Sequence, residues 1–430
     1  MIQVIREKLE DALEKGQIWI RKEYLHHDGL ALRQSRMLQF EPDTVGGSKF
    51  RISEDNGRTY GEWHPVPREE NYAMIGDDEV ETVDMGKVWN PVHRHYVSTR
   101  FERYFVNGHN EAYRLYWKQS ARAFYDHQYI RIWRENEDTP YADDLVRYEE
   151  GADFDPQNPR NPEYLEKNNG CCNQPIILKN GDIAVPVSAT VSTGCKIAGL
   201  DVKTVFPSSP DVHCCVLVAR GRFNTETERY DFTFSNPVIL SDLRSSRGID
   251  EPILAELESG RLLLVMRGSN VASKYRPHRI EPGTPSFKWF AYSDDGGATF
   301  TTAEPWHFDD RQVVYSSASI SALIRSSKNG KLYWIGNVTD HTAYDNFPRF
   351  PLHIAQVDDR YGYLIKETLT EIDTRREGET EHLELSNFSI FEDRETGVIE
   401  VSLCKAGQYE FDYTKANAGE PWRYLIDVGG

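Results

Sequence analysis

Two carboxylates and a guanidinium frame the stretch of this 430-residue chain in which residue type and spacing together suggest chemistry. Asp250 and Glu251 open the apolar run 252–257, and Arg267 closes the apolar run 262–266. Glu258, Ser259 and Gly260 between the runs read as a tight turn, so the two form a β-hairpin. Its charged outer ends then meet, and rigid strand ends are where an acid can be held beside a guanidinium. A carboxylate there can act as general acid, base or nucleophile, and an arginine fork can hold an anion through parallel N–H bonds. The plain alternative is an ion pair between strand ends.

The elements that must position these residues repeat. Apolar runs paired across a turn glycine recur at Gly181, Gly260, Gly330 and Gly397, spaced about 65–80 residues apart, as four-stranded units with long loops require. Counting back places further units near 17–68 and 85–150, six in all, with 85–150 a degenerate unit followed by a polar surface insertion at 152–170. A second repeat lies in the turns. Ser53-Glu54-Asp55-Asn56-Gly57-Arg58-Thr59-Tyr60 shares the form S-x-D-x-G-x-T-aromatic with Ser293-Asp294-Asp295-Gly296-Gly297-Ala298-Thr299-Phe300. Asp and Ser cap turn amides, Gly accepts positive φ, and the aromatic plugs neighbouring sheets. This string resembles the Asp-box of sialidase-like propellers. The fold it implies is an all-β, six-bladed β-propeller over 17–430 as a single domain, with substrate entering where the inner strands start. Ile2, Ile5, Leu9 and Leu13 share one helical face, so 1–16 reads as a short N-terminal helix ending at Gly16.

The hairpin itself is similar to the fourth sialidase blade, in the pattern E-x-x-x-x-E-L-x-x-G-x-L-x-L-x-x-R, through Glu251, Glu256, Leu257, Gly260, Leu262, Leu264 and Arg267. Arg349, ahead of Leu352-His353-Ile354-Ala355, is similar to the arginine of the fifth blade. The resemblance implies that Arg267 and Arg349 clamp a substrate carboxylate and that Glu251 assists catalysis. It also places Arg21 and a possible acid/base, Asp43, at roughly the first-blade positions. One feature departs: no Tyr lies between 364 and 408, where sialidases carry their nucleophile, and Glu384, His382 or Tyr344 could stand in. Equivalent positions before the inner strands add Asn173, Gln174, Asp250 and Asn387, with Arg247 on a neighbouring loop. His26-His27 and His93-x-His95 lack a third partner at metal-ligand spacing.

Composition bounds the function. A net charge of −18 argues against nucleic acid or an anionic membrane surface as partner. No apolar run nears the ~20 residues of a membrane span, and 1–9 lacks a signal-peptide core, which reads as a cytoplasmic protein. Six cysteines without a C-x-x-C read as reduced thiols. No cofactor or metal is expected. The resemblance implies a carbohydrate-active enzyme, an exo-acting glycoside hydrolase releasing a terminal acidic sugar. The alternatives are a uronate lyase or rhamnosidase on the same propeller, or a non-catalytic sugar-binding propeller.

Overall fold

The computed structural model describes residues 2–41, 45–118, 124–271, 278–339, 343, 346–412 and 416–430. Each expected hairpin extends into an antiparallel sheet, giving six sheets and a six-bladed β-propeller with four short helices among the described residues. The continuous apolar runs become second strands, buried on both faces: Ile183–Thr190, Leu262–Arg267, Leu332–Asn337 and Ile399–Cys404.

The chain divides into two compact units of three blades each. The first unit holds blade one (17–66), blade five (322–373) and blade six. Its core joins Ile335, Leu352 and Ile354 of blade five to Val401, Tyr424 and Ile426 of blade six. Blade six takes a strand from each end of the chain, for Gln3–Lys8 pairs antiparallel with Pro421–Asp427 from Gln3↔Asp427 to Lys8↔Trp422. The helix expected over 1–16 is therefore corrected to a strand. The free edge of Pro421–Asp427 offers a ladder that a short isolated helix cannot match. Ile2 and Val4 pack toward the core while Ile5 is 60% exposed, an alternation that overrides the helical spacing.

The second unit holds blades two, three and four. Blade two starts earlier than expected, at Tyr72, and is a six-stranded sheet built on two 11-residue strands, His95–Phe105 and Phe124–Arg134. Residues 152–170 carry the helical turn Pro162–Leu165 and lead into the first strand of blade three. Blade four comprises Asp250–Glu256, Leu262–Arg267, Lys288–Ser293 and Glu304–Pro305.

The two S-x-D-x-G-x-T turns lie between the third and fourth strands of blades one and four and share one hydrogen-bond scheme. Thr59 N–H and Oγ1 donate to Asp55 at 2.8 and 2.7 Å, and Gly57 N–H donates to Ser53 Oγ at 2.8 Å. In the other turn Thr299 donates to Asp295 at 2.9 and 2.6 Å, and Gly297 to Ser293 Oγ at 2.7 Å. The threonine donors hold both aspartates down at about 2. These carboxylates are spent on the turn.

Candidate functional site

In the second unit the blade-four hairpin joins its charged ends, and does so through an irregularity. Asp250 pairs with Arg267 and Ile253 with Val265, so the first strand carries one extra residue, a β-bulge, at its start. Adjacent residues of a regular strand face opposite ways. Here Glu251 adopts φ +47°, a left-handed conformation costly for a non-glycine residue. Both side chains consequently reach one guanidinium: Glu251 Oε1 lies 2.9 Å from Arg267 Nη1 and Asp250 Oδ2 3.3 Å from Arg267 Nη2. Arg267 is 15% exposed and the acids about twice that, so all three are partly buried, the guanidinium most deeply.

Burial alone would push the Asp250 carboxyl up, but Arg267, the Ser188 hydroxyl, the Glu251 amide and Arg247 together hold it below the ordinary range. Asp250 is therefore an anion at neutral pH. Two thiols nearby feel the same pair: burial, reinforced by Asp250, drives Cys214 well up, and Cys171 rises to about 12 from burial and acids that include Asp250 and Glu251. Neither thiol is a nucleophile at neutral pH. The Asn173 amide donates to the Pro252 carbonyl and so fixes the start of the same strand.

In the first unit Arg349 precedes the third strand of blade five, Leu352–Gln356. Its Nη1 donates to Glu384 Oε2 at 2.6 Å and Ser386 Oγ at 3.3 Å, its Nη2 to the Ala318 carbonyl at 3.1 Å, and its Nε to the Asn346 carbonyl at 3.2 Å. An arginine has five N–H donors, so four of its own are engaged with three chain segments. The Leu385 amide returns a bond to the Arg349 carbonyl at 2.9 Å, which ties 349 to the lead-in of blade six.

The remaining expected residues divide. Arg247 joins the blade-four cluster through its charge on Asp250. Gln174 is exposed and donates to the Gly86 carbonyl at 3.2 Å. Arg21, on the strand Gln17–Tyr24, lies 3.6 Å from Glu23 on the same face of that strand. Asn387 sits at φ +58°, a conformation asparagine tolerates, where the chain turns into the first strand of blade six. Asp43 and Tyr344 lie outside the described residues. The histidine pairs form no metal cluster: among the described residues no group of three His, Cys, Asp or Glu could hold an ion. His95 Nε2 is 2.7 Å from the Tyr230 hydroxyl, and burial, with His93 alongside, lowers its pKa to about 4.

Ser188 and Ser386 are the contributors that sequence reasoning missed. Each is a serine in an apolar stretch, and nothing local marks its distant acid or arginine partner.

No protein-family model and no curated protein sequence matches the chain. Solved structures do. A protein of unknown function from Dyadobacter fermentans matches with a TM-score of 0.56 at 14% identity, over 99% of each chain. The intramolecular trans-sialidase of Ruminococcus gnavus gives 0.54 at 9% identity, over 95% of this chain and 94% of that one. The NanB sialidase of Streptococcus pneumoniae gives 0.53 at 10% identity, over 98% of this chain and 70% of that one. No described helix is long and apolar enough to cross a membrane. At these identities the likeness is one of fold: the chain shares the propeller architecture on which these sialidases are built.

Proposed function

We propose that the chain is an exo-acting glycoside hydrolase releasing a terminal acidic sugar, with Asp250 and Glu251 as its reacting carboxylates. The observation that carries this reading is the bulge that brings two adjacent acids onto one guanidinium at the head of blade four. Glycosidic cleavage needs two carboxyl groups, one to protonate the leaving oxygen and one to stabilise or capture the oxocarbenium-like centre or to direct water. Asp250, held as an anion, suits the second role. Glu251, ion-paired with Arg267, would activate the reacting group as a base, and Asp43 is the candidate acid/base. Arg267 and Arg247 would supply the positive charge that an acidic sugar meets. The fold likeness to sialidases supports the reading by analogy only.

A neutral terminal sugar is the second reading, favoured by the engagement of Arg349 with Glu384, Ser386 and two carbonyls. The test is product analysis on a panel of sialosides, uronate-capped oligosaccharides, rhamnosyl-uronates and their neutral counterparts. New reducing ends and ultraviolet absorbance from unsaturated uronate are read together. Reducing ends without absorbance, lost in Glu251→Gln, are expected. Absorbance would move the chemistry to elimination, and silence across the panel would sink the hydrolase.

A further inference from the structure

Within the first unit, a cavity of about 860 Å3 lies beside blade five. Four segments build it, one being Val338 and Thr339 just after the second strand of blade five. Of the others, the first is the tight turn after Trp306, where Phe308 N–H donates to the Gln312 carbonyl at 2.8 Å and Gln312 N–H to Asp310 Oδ1 at 3.0 Å. The second is 348–353, leading into the strand Leu352–Gln356, and the third runs from the helical turn Lys366–Thr368 to Thr374. Lys366 braces the first segment from the third, bonding Asp310 and, at 2.7 Å, Gln312 Oε1. Arg349 is not among the lining, although Pro348 and Phe350 on either side of it are, so this space is separate from the Arg349–Glu384 contact.

The lining has a definite chemistry. Phe308, Tyr315 and Phe350 present rings, and Tyr315 is itself fixed by stacking on Phe287 at 5.5 Å and by the Thr339 amide at 3.0 Å from its carbonyl. Leu352 and Ile354 are fully buried in the core, so strand alternation turns His353 to the cavity side. Burial, only partly opposed by a hydrogen bond to the Pro351 backbone, holds the imidazole at about 4, so at neutral pH it is an uncharged polar ring. Thr339 and Thr374 add hydroxyls. Of the cations nearby, Lys366 already faces Asp310, Arg311 is on the exposed turn, and Arg375 is engaged over the Phe350 ring at 5.5 Å. Ring faces combined with uncharged donors and acceptors, in a volume within the ~300–1,000 Å3 of ligand pockets, suit a polyhydroxylated ring compound and give an anion little.

We propose that this cavity is a second binding site, separate from the blade-four carboxylates, which takes a neutral oligosaccharide by packing its rings on Tyr315 and Phe350 and bonding its hydroxyls through His353 and Thr339. It does not depend on the hydrolase reading. Titration calorimetry on the full chain carrying Glu251→Gln, used so that any turnover on the proposed reading is slowed, tests it with cellotriose, maltotriose and xylotriose, and with trigalacturonate as the charged comparator. At least one neutral trisaccharide should bind with one-to-one stoichiometry. Thr374→Trp, which adds bulk at a partly buried lining position, should weaken that binding about tenfold or more without lowering Tm, and His353→Ala should weaken it by about the same factor. No binding by any neutral trisaccharide at about 10 mM, preference for trigalacturonate, or affinity unchanged in Thr374→Trp would overturn the proposal. Silence of the substrate panel with trisaccharide binding intact would sink the hydrolase and leave this site standing, and the converse would do the opposite.

Discussion

Each compact unit contains an arginine paired with acid, and the two arrangements differ in what the arginine has left to give. Arg349 is spread over Glu384, Ser386 and the carbonyls of Ala318 and Asn346, so it fastens loop segments together. Arg267 gathers two neighbouring acids, one of them on strained backbone, at the end of a hairpin. Two of the four acceptors around Arg349 are main-chain carbonyls, which fix backbone, and its one carboxylate, Glu384, is held against it at 2.6 Å. On the proposed reading, two acids on one cation at a bulge are the reacting site, with the left-handed Glu251 as the strained residue that motivates it. The residue types are the same in both units, and the surroundings separate them.

The sharpest way to break this contrast is Glu251→Gln. It should reduce turnover by about 10³-fold while leaving Tm near that of the parent, because the amide keeps the shape and the contact but cannot exchange a proton. Activity per folded molecule and thermal melting, measured together, check it. Arg349→Met should do the reverse, costing about 3 kcal/mol of stability because Glu384 loses its partner, with catalysis per folded molecule retained. Adding Glu384→Gln should recover part of that loss, as denaturant melts would show.

How far these contrasts can be read from sequence varies by residue. The propeller was legible because the second strands of blades three to six are apolar runs that start just after a turn glycine, and the S-x-D-x-G-x-T turns contain the partners of their central Asp and Ser. Glu251 and Arg267 were legible as hairpin ends. The bulge was not, since one extra residue at a strand start changes no pattern, and without it Asp250 and Glu251 would point apart. Arg349 was visible as a motif, but its partner Glu384 lies 35 residues on in another blade's lead-in, and no local signal links them. The N-terminal strand was misread because its partner strand is more than 400 residues away, and an edge ladder outweighs a weak helical period.

Acid titration sharpens the comparison further. His353 in the first unit has a folded value near 4 against an ordinary 6.5. A base whose folded value is depressed leaves stability intact above 6.5 and erodes it as pH falls from 6.5 toward 4, because the unfolded chain takes the proton first. His353→Gln should therefore flatten the fall in Tm between pH 7 and pH 5. Asp250 in the second unit is also depressed, but as an acid, so its contribution is present above 3.8 and is lost only below that value. Asp250→Asn should leave the pH 7-to-5 slope unchanged. The smallest effect expected is Asp295→Ala, which removes the acceptor for the Thr299 donors in an exposed turn and should lower Tm slightly with no effect on turnover.

The central claim is that chemistry belongs to the blade-four acids and fastening to Arg349. The measurement that tests it most directly is release of reducing sugar per folded molecule, compared across the parent, Glu251→Gln and the Arg349→Met/Glu384→Gln double variant on one cleaved substrate. The account predicts release reduced about 10³-fold in Glu251→Gln at unchanged Tm and retained in the double variant at lowered Tm. Release that survives Glu251→Gln but vanishes in the folded double variant would contradict it.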